Sequence, residues 1–213
     1  MTWQRARSPE QKAERSDKIV DAAAELFDEY SLDGLSMNAL AKRAGMGKAS
    51  LYHYFATKEH VFLELFKREG DAWIANVIEQ LEKLGKSDAD SVAHVIATET
   101  VRHERLRRLA IVLHHVLDNF ASPATRQDFK LYMLEPLEHF ADCLQTCLPG
   151  VTRANAMLFF MQHHALVVGL APFSDPDALL DSGKNDARLA IFQLEFAEVF
   201  EHSLAALLAR IGE

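Results

Sequence analysis

AGMGKASLYHYF, residues 44–55, places two glycines, a lysine, a histidine and two tyrosines in twelve residues, without one carboxylate. Helical periodicity flanks it on both sides. Gly45 suits a turn that needs positive φ, and Ala41 is small enough for a second helix to cross the first there. Leu40, Ala44, Met46 and Leu51 supply apolar anchors, so residues 37–55 read as a helix-turn-helix. Successive side chains turn by about 100° around a helix. With Leu51 inward, Tyr54 and Phe55 lean inward while Ser50 and Tyr52 flank. Ala49 and His53 then point out. This outer face offers hydroxyl and imidazole groups to base edges, a small residue permitting close approach, and no charge that would repel phosphate.

Working outward, helical patterns cover residues 9–30, 37–44 and 48–55, and a long helix follows a cap at Thr57. Five further segments are expected at 87–102, 104–119, 123–148, 152–172 and 185–211. Pro136 predicts a kink or split in the third of these. Strand alternation is nearly absent, so the fold class is all-α: a three-helix DNA-binding head, residues 1–60, and a helical bundle, residues 61–213. The boundary is expected inside the fourth helix, around residues 58–70.

Charge agrees with this division. The chain has 213 residues and a formal net charge of -8, which at first argues against nucleic acid. The excess acid, however, lies entirely beyond residue 60. Residues 34–58 hold Lys42, Arg43, Lys48 and Lys58 with no acid, and such a local patch governs phosphate affinity. Lys42 and Arg43 read as solvated charges. Arg5 and Arg7 precede the first helix, either as a tail or as a reach toward a groove. No signal segment or apolar run of about 18–20 residues is evident, so a cytoplasmic, membrane-free protein is expected. Cys143 and Cys147, four apart, read as reduced packing residues.

The order of KIVDAAAELFDEYSLDGLSMNALAKRAGMGKASLYHYFATKEHVF, residues 18–62, resembles the DNA-binding domain of the tetracycline-repressor (TetR) family of bacterial transcription regulators. The resemblance implies that Lys48, Ser50, Tyr52 and His53 face the major groove, with Ala49 allowing close approach. It also implies that Tyr54 and Lys58 bind phosphates, and that Met37 and Asn38 lie near the backbone or a groove edge. Phe55 is expected to pack, and Tyr54 can do both. The family often has Ser or Thr where Gly47 stands and Gly where Ala49 stands, so one hydroxyl contact is missing here.

For the rest of the chain, the resemblance implies a dimerising domain enclosing a small-molecule effector site, hence a repressor released from operator DNA by its ligand. Phe192, Phe196, Phe200, Leu204 and Leu208 form a stripe in the last helix, and AMLFFMQHHALVVGLA before it is apolar nearly all round. Together they suggest a homodimer through the last two helices, with Gly169 permitting close approach. His114, His115, Asn119, Phe129, Tyr132, Gln162 and His163 are the candidate effector-binding residues. Of two adjacent histidines only one can point inward.

Rival classes are a metal-dependent enzyme and a non-specific architectural DNA binder. Glu99/His103, Glu135/His139 and Glu198/His202 are spaced i, i+4, neither the i, i+3 spacing of di-iron bundles nor a zinc-protease motif. An architectural binder would be basic throughout. No catalytic residue, metal or cofactor is expected.

Overall fold

The computed structural model describes residues 9–174 and 195–211. All regular structure among the described residues is helical: α1 (Pro9–Tyr30), α2 (Met37–Arg43), α3 (Lys48–Leu51), α4 (Lys58–Leu84), α5 (Ala89–Arg102), α6 (Glu104–Asn119), α7 (Pro123–Cys147), α8 (Arg153–Leu170) and α9 (Phe196–Ile211), with 3-10 turns at Ser31–Gly34 and Ala171–Ser174. The chain divides into two compact units, Met1–Arg68 and Glu69–Glu213, with α4 running from the first into the second.

In the first unit the spacing of Ile19, Ala22, Ala23, Leu26 and Phe27 buries one face of α1. It closes on Leu35, Leu40, Ala41, Leu51, Phe55, Val61, Phe62 and Leu65, all buried. Phe27 and Phe62 meet edge to face, 6.3 Å between ring centroids. At the turn after α1 the backbone passes so close that a Cβ on Gly34 would stand 2.5 Å from the Tyr30 Cβ.

Capping sets the helix ends. The Ser36 hydroxyl accepts from the Ala39 N–H at 3.1 Å, starting α2, and Asp88, Ser122 and Thr152 start α5, α7 and α8 in the same way. Accepting the Ser91 N–H holds the Asp88 carboxyl below the usual carboxylate range.

In the second unit α9 packs on α5 and α8, and α8 also packs on α6 and α7. Phe196, Phe200, Leu204 and Leu208 are all buried within the chain itself. That corrects their assignment to a subunit interface; Phe192 lies outside the described residues. An exposed apolar stripe lies on α8, where Leu158 (53% exposed) and Met161 (57%) align with exposed Ala165 and Gly169.

Two other expectations are revised. α7 is continuous through Pro136, so of the expected kink or split the split does not occur. Arg153–Phe173 is long and apolar enough to cross a membrane by length and composition, contrary to the reading of the sequence, because its few polar residues lie among long apolar ones. Within the fold this segment is a bundle helix, burying Ala156, Phe159, His163 and Val167. Of the segment expected at 185–211, residues 185–194 lie outside the described residues. Cys143 and Cys147 are free and buried, as read, and burial pushes both thiols up.

Candidate nucleic-acid interface

The turn between α2 and α3 is built as the glycines suggested. Gly45 sits at φ +65°, the left-handed region, and its N–H donates to the Lys42 carbonyl while the Met46 N–H donates to that of Ala41. Gly47, extended at φ -71°, ψ 143°, then precedes α3 with no side chain to cap it. Regular α-helix lasts only from Lys48 to Leu51, shorter than the expected 48–55. Beyond it the His53 and Tyr54 N–H groups donate three residues back, to Ser50 and Leu51, tightening the last turn into 3-10 form.

This short element still divides its side chains as the helical phase requires. Leu51 and Phe55 are buried, Ser50 and Tyr54 are half-buried, and Lys48, Ala49, Tyr52 (48% exposed) and His53 are exposed. The Lys48 ammonium lies 6.0 Å from the Tyr52 ring centroid, a loose cation–π pair that keeps both on one side. At the start of α2, Asn38 is exposed and Met37 half-buried. Lys58 opens α4 half-buried, where the Thr57 hydroxyl accepts from the His60 N–H at 3.4 Å. A lysine beside the positive end of a helix is an anion-binding arrangement.

Arg43 is not a free charge. Its guanidinium forks onto Glu29 (2.8 and 2.9 Å) and reaches Glu25 (3.0 Å), tying α2 to α1. These hydrogen bonds hold Glu29 below the usual carboxylate range and keep Arg43 charged. Arg5 and Arg7 lie outside the described residues.

Serine at position 47 is expected to fit, since a Cβ there would stand 4.0 Å from the Ser50 Oγ. Gly47→Ser would cap α3 and raise the stability of the first unit by a few tenths of a kcal/mol, roughly, read as a higher Tm. A lowered Tm would show that the added hydroxyl cannot reach the free N–H groups.

The candidate effector residues separate into buried and exposed groups. His163 is buried, stacked on Trp73 (4.9 Å) and edge-on to Phe200 (5.4 Å). Its Nε2 lies 3.0 Å from the Thr100 Oγ1. That hydroxyl gives its only proton to the Ile96 carbonyl and also accepts from the Trp73 indole, so Nε2 of His163 is the donor. Burial first, then the adjacent His164, pushes His163 down to about 3. His164 is lowered too, by burial and by His114, whose Nε2 lies 3.2 Å from its own.

Phe129 is buried, Tyr132 half-buried, and the Gln162 Oε1 is buried with no hydrogen-bond partner. His114, His115 and Asn119 are exposed; Asn119 bonds to His115, and His114 reaches His164, the chain neighbour of His163. Trp73, Thr100 and Arg107 went unnoticed in the sequence. The Arg107 Nε is buried without a partner, its guanidinium 4.7 Å from the Phe196 ring, and burial lowers it from its ordinary value. The signal was its phase: Arg107 lies three residues before buried Ala110 and six before buried Leu113. Of the Glu–His pairs, Glu99 is held by Arg102 at 2.7 Å and His103 by Asn76 at 3.1 Å.

Comparison with known proteins agrees with this geometry. Residues 19–65 match the model for bacterial regulatory proteins of the tetR family, and residues 67–209 match the tetracyclin repressor-like C-terminal domain. An uncharacterized helix-turn-helix transcriptional regulator of Mycobacterium tuberculosis is 37% identical over 89 residues, 38% of this chain; the match spans only 43% of that protein's length. IcaR, negative regulator of the biofilm operon in Staphylococcus aureus, is 23% identical over 84% of this chain and 95% of its own. Among solved structures, a tetR-family regulator from Mesorhizobium loti superposes with TM-score 0.61 at 19% identity, over 93% of this chain and 96% of that one. FadR of Bacillus subtilis, in complex with stearoyl-CoA, superposes at 0.56 and 19% over 92% and 98%. By both domain matches, the chain belongs to the tetR family of bacterial transcription regulators.

Proposed function

We propose that the protein is a homodimeric repressor that leaves its operator when a small molecule occupies its C-terminal part. The observation that carries this reading is the exposed, acid-free face of Lys48, Ala49, Tyr52 and His53, presented on buried Leu51 and Phe55. Residues 1–60 serve as the DNA-binding head and residues 61–213 as the regulatory and dimerising part, working in the cytoplasm without catalysis. Met37, Asn38, Ser50, Tyr54 and Lys58 complete the contact surface, with Tyr54 and Lys58 on phosphates.

The exposed α8 stripe of Leu158, Met161, Ala165 and Gly169 supports dimerisation, since apolar surface of this kind gains by being covered. Two heads would then meet successive major grooves of a near-palindromic site. The effector contacts are assigned to Phe129, Tyr132, Gln162 and His163, with His114, His115 and Asn119 toward the surface. Arg107, a half-buried cation with an unpartnered Nε, favours an effector with an acidic group on an apolar body. The IcaR and FadR likenesses are consistent with repression and with such a ligand. Release is a population shift, the ligand binding more tightly to a form unsuited to the operator.

The test is selection of fragments from the host genome by the purified protein, followed by acidic amphipathic compounds added to the selected complex. Enrichment of a near-palindrome and its loss on adding one compound is the expected result. Equal binding to bulk competitor DNA at low ionic strength would contradict it. On the selected duplex, Lys58→Ala is expected to weaken binding whatever the sequence and to lower the salt slope by about one. An unchanged slope would remove Lys58 from the phosphate contacts.

A further inference from the structure

Glu82 near the end of α4 and His139 and Cys143 of α7 form a cluster that the regulatory reading leaves unused. Their ligand atoms, one carboxylate oxygen, one ring nitrogen and the Cys143 Sγ, all lie within 4.8 Å of one another. His139 and Cys143 are four apart, so one helix face presents both, and Glu82 meets them from the neighbouring helix. The geometry points to a binding site for a borderline divalent cation of the zinc class, held by one thiolate, one imidazole and one carboxylate with water in the fourth position.

Three observations support the assignment. The donor set is mixed sulfur, nitrogen and oxygen, which suits tetrahedral zinc better than the all-oxygen shells of magnesium or calcium. Bond lengths of a zinc site put tetrahedral ligand atoms about 3.3–3.6 Å apart, so the cluster closes by rotamer changes of roughly 1.5 Å or less. The three groups are also uncommitted, with no hydrogen bond or ion pair among the described residues. Their neighbours are engaged: Lys83 pairs with Glu79, Asp142 and Glu138 pair with Arg153, and the Cys147 thiol donates to the Leu81 carbonyl at 3.4 Å. That last bond also holds α7 against α4 one residue from Glu82. A bound cation would join the two helices there and, by binding the folded state alone, stabilise it.

Cobalt(II) titrated into the full-length protein, first stripped of metal by chelator, tests the site. One equivalent per chain is expected, with a thiolate-to-cobalt charge-transfer band in the near ultraviolet and tetrahedral bands in the visible, both removed by zinc. Cys143→Ser should abolish the charge-transfer band. Glu82→Gln and His139→Ala should each weaken binding at least tenfold, and Cys147→Ser should retain the band. Circular dichroism of each variant separates ligand loss from unfolding. A wild type without the band, or a band surviving in folded Cys143→Ser, would overturn the assignment. Operator binding plays no part in this readout, so it stands or falls apart from the repressor reading.

Discussion

Phe27→Ala is expected to cost the first unit about 3–5 kcal/mol and with it all binding to DNA. The ring is 1% exposed, it meets Phe62 edge to face, and it fills the space where α1 closes on the start of α4. Truncation removes the transfer free energy of a whole aromatic side chain and leaves a cavity that rigid helices refill only in part. A unit of this size holds only a few kcal/mol of net stability, so the loss unfolds a large share of the molecules. Thermal unfolding by circular dichroism should show the first unit melting early while the second keeps its transition. Phe27→Leu, retaining most of the volume, should lose much less. Unaltered melting and operator affinity in Phe27→Ala would show that the α1 stripe does not hold the head together.

Acidification is expected to destabilise the second unit by a few kcal/mol, roughly, through His163. In the folded chain this ring is neutral, donating Nε2–H to Thr100 and packed between Trp73 and Phe200, and its value is pushed down to about 3. Unfolded, it titrates near 6.5. The unfolded chain therefore binds the extra proton first. This contribution is fully present above about pH 6.5 and is lost progressively as pH falls toward 3. His164, lowered by burial and by His114, acts in the same direction. Urea unfolding followed by Trp73 fluorescence, in a Trp3→Phe background, measures the slope. His163→Gln keeps a donor for Thr100 but does not titrate, and should reduce proton uptake on unfolding by about one between pH 4 and 6. An identical slope in the variant would mean that the ring is already charged or exposed in the native state.

Much of the head was legible because its signals are local. Leu40, Ala41, Gly45, Met46 and Leu51 occupy positions that only a tight helix-turn-helix requires, and each takes the expected burial or backbone state. The extent of α3 was not, since the two shortened hydrogen bonds of His53 and Tyr54 leave the apolar phase unchanged over one turn. Helix order in the second unit followed from periodicity, whereas the use of each stripe did not. Phe196, Phe200, Leu204 and Leu208 would look the same against α5 of one chain as against another subunit. Sequence alone also could not align Trp73, Thr100 and His163, on three helices, nor bring Glu82 beside His139 and Cys143. Such clusters depend on how helices pack, and in a bundle no short-range pattern records that.

Sequence preference of the α3 face is the most direct test. Duplexes selected from a random pool by the wild type should converge on one near-palindromic motif, and folded Tyr52→Ala and His53→Ala variants should each select a motif altered at the same positions in both half-sites. Recovery of the wild-type motif by both variants would show that bases are read elsewhere and would contradict the account.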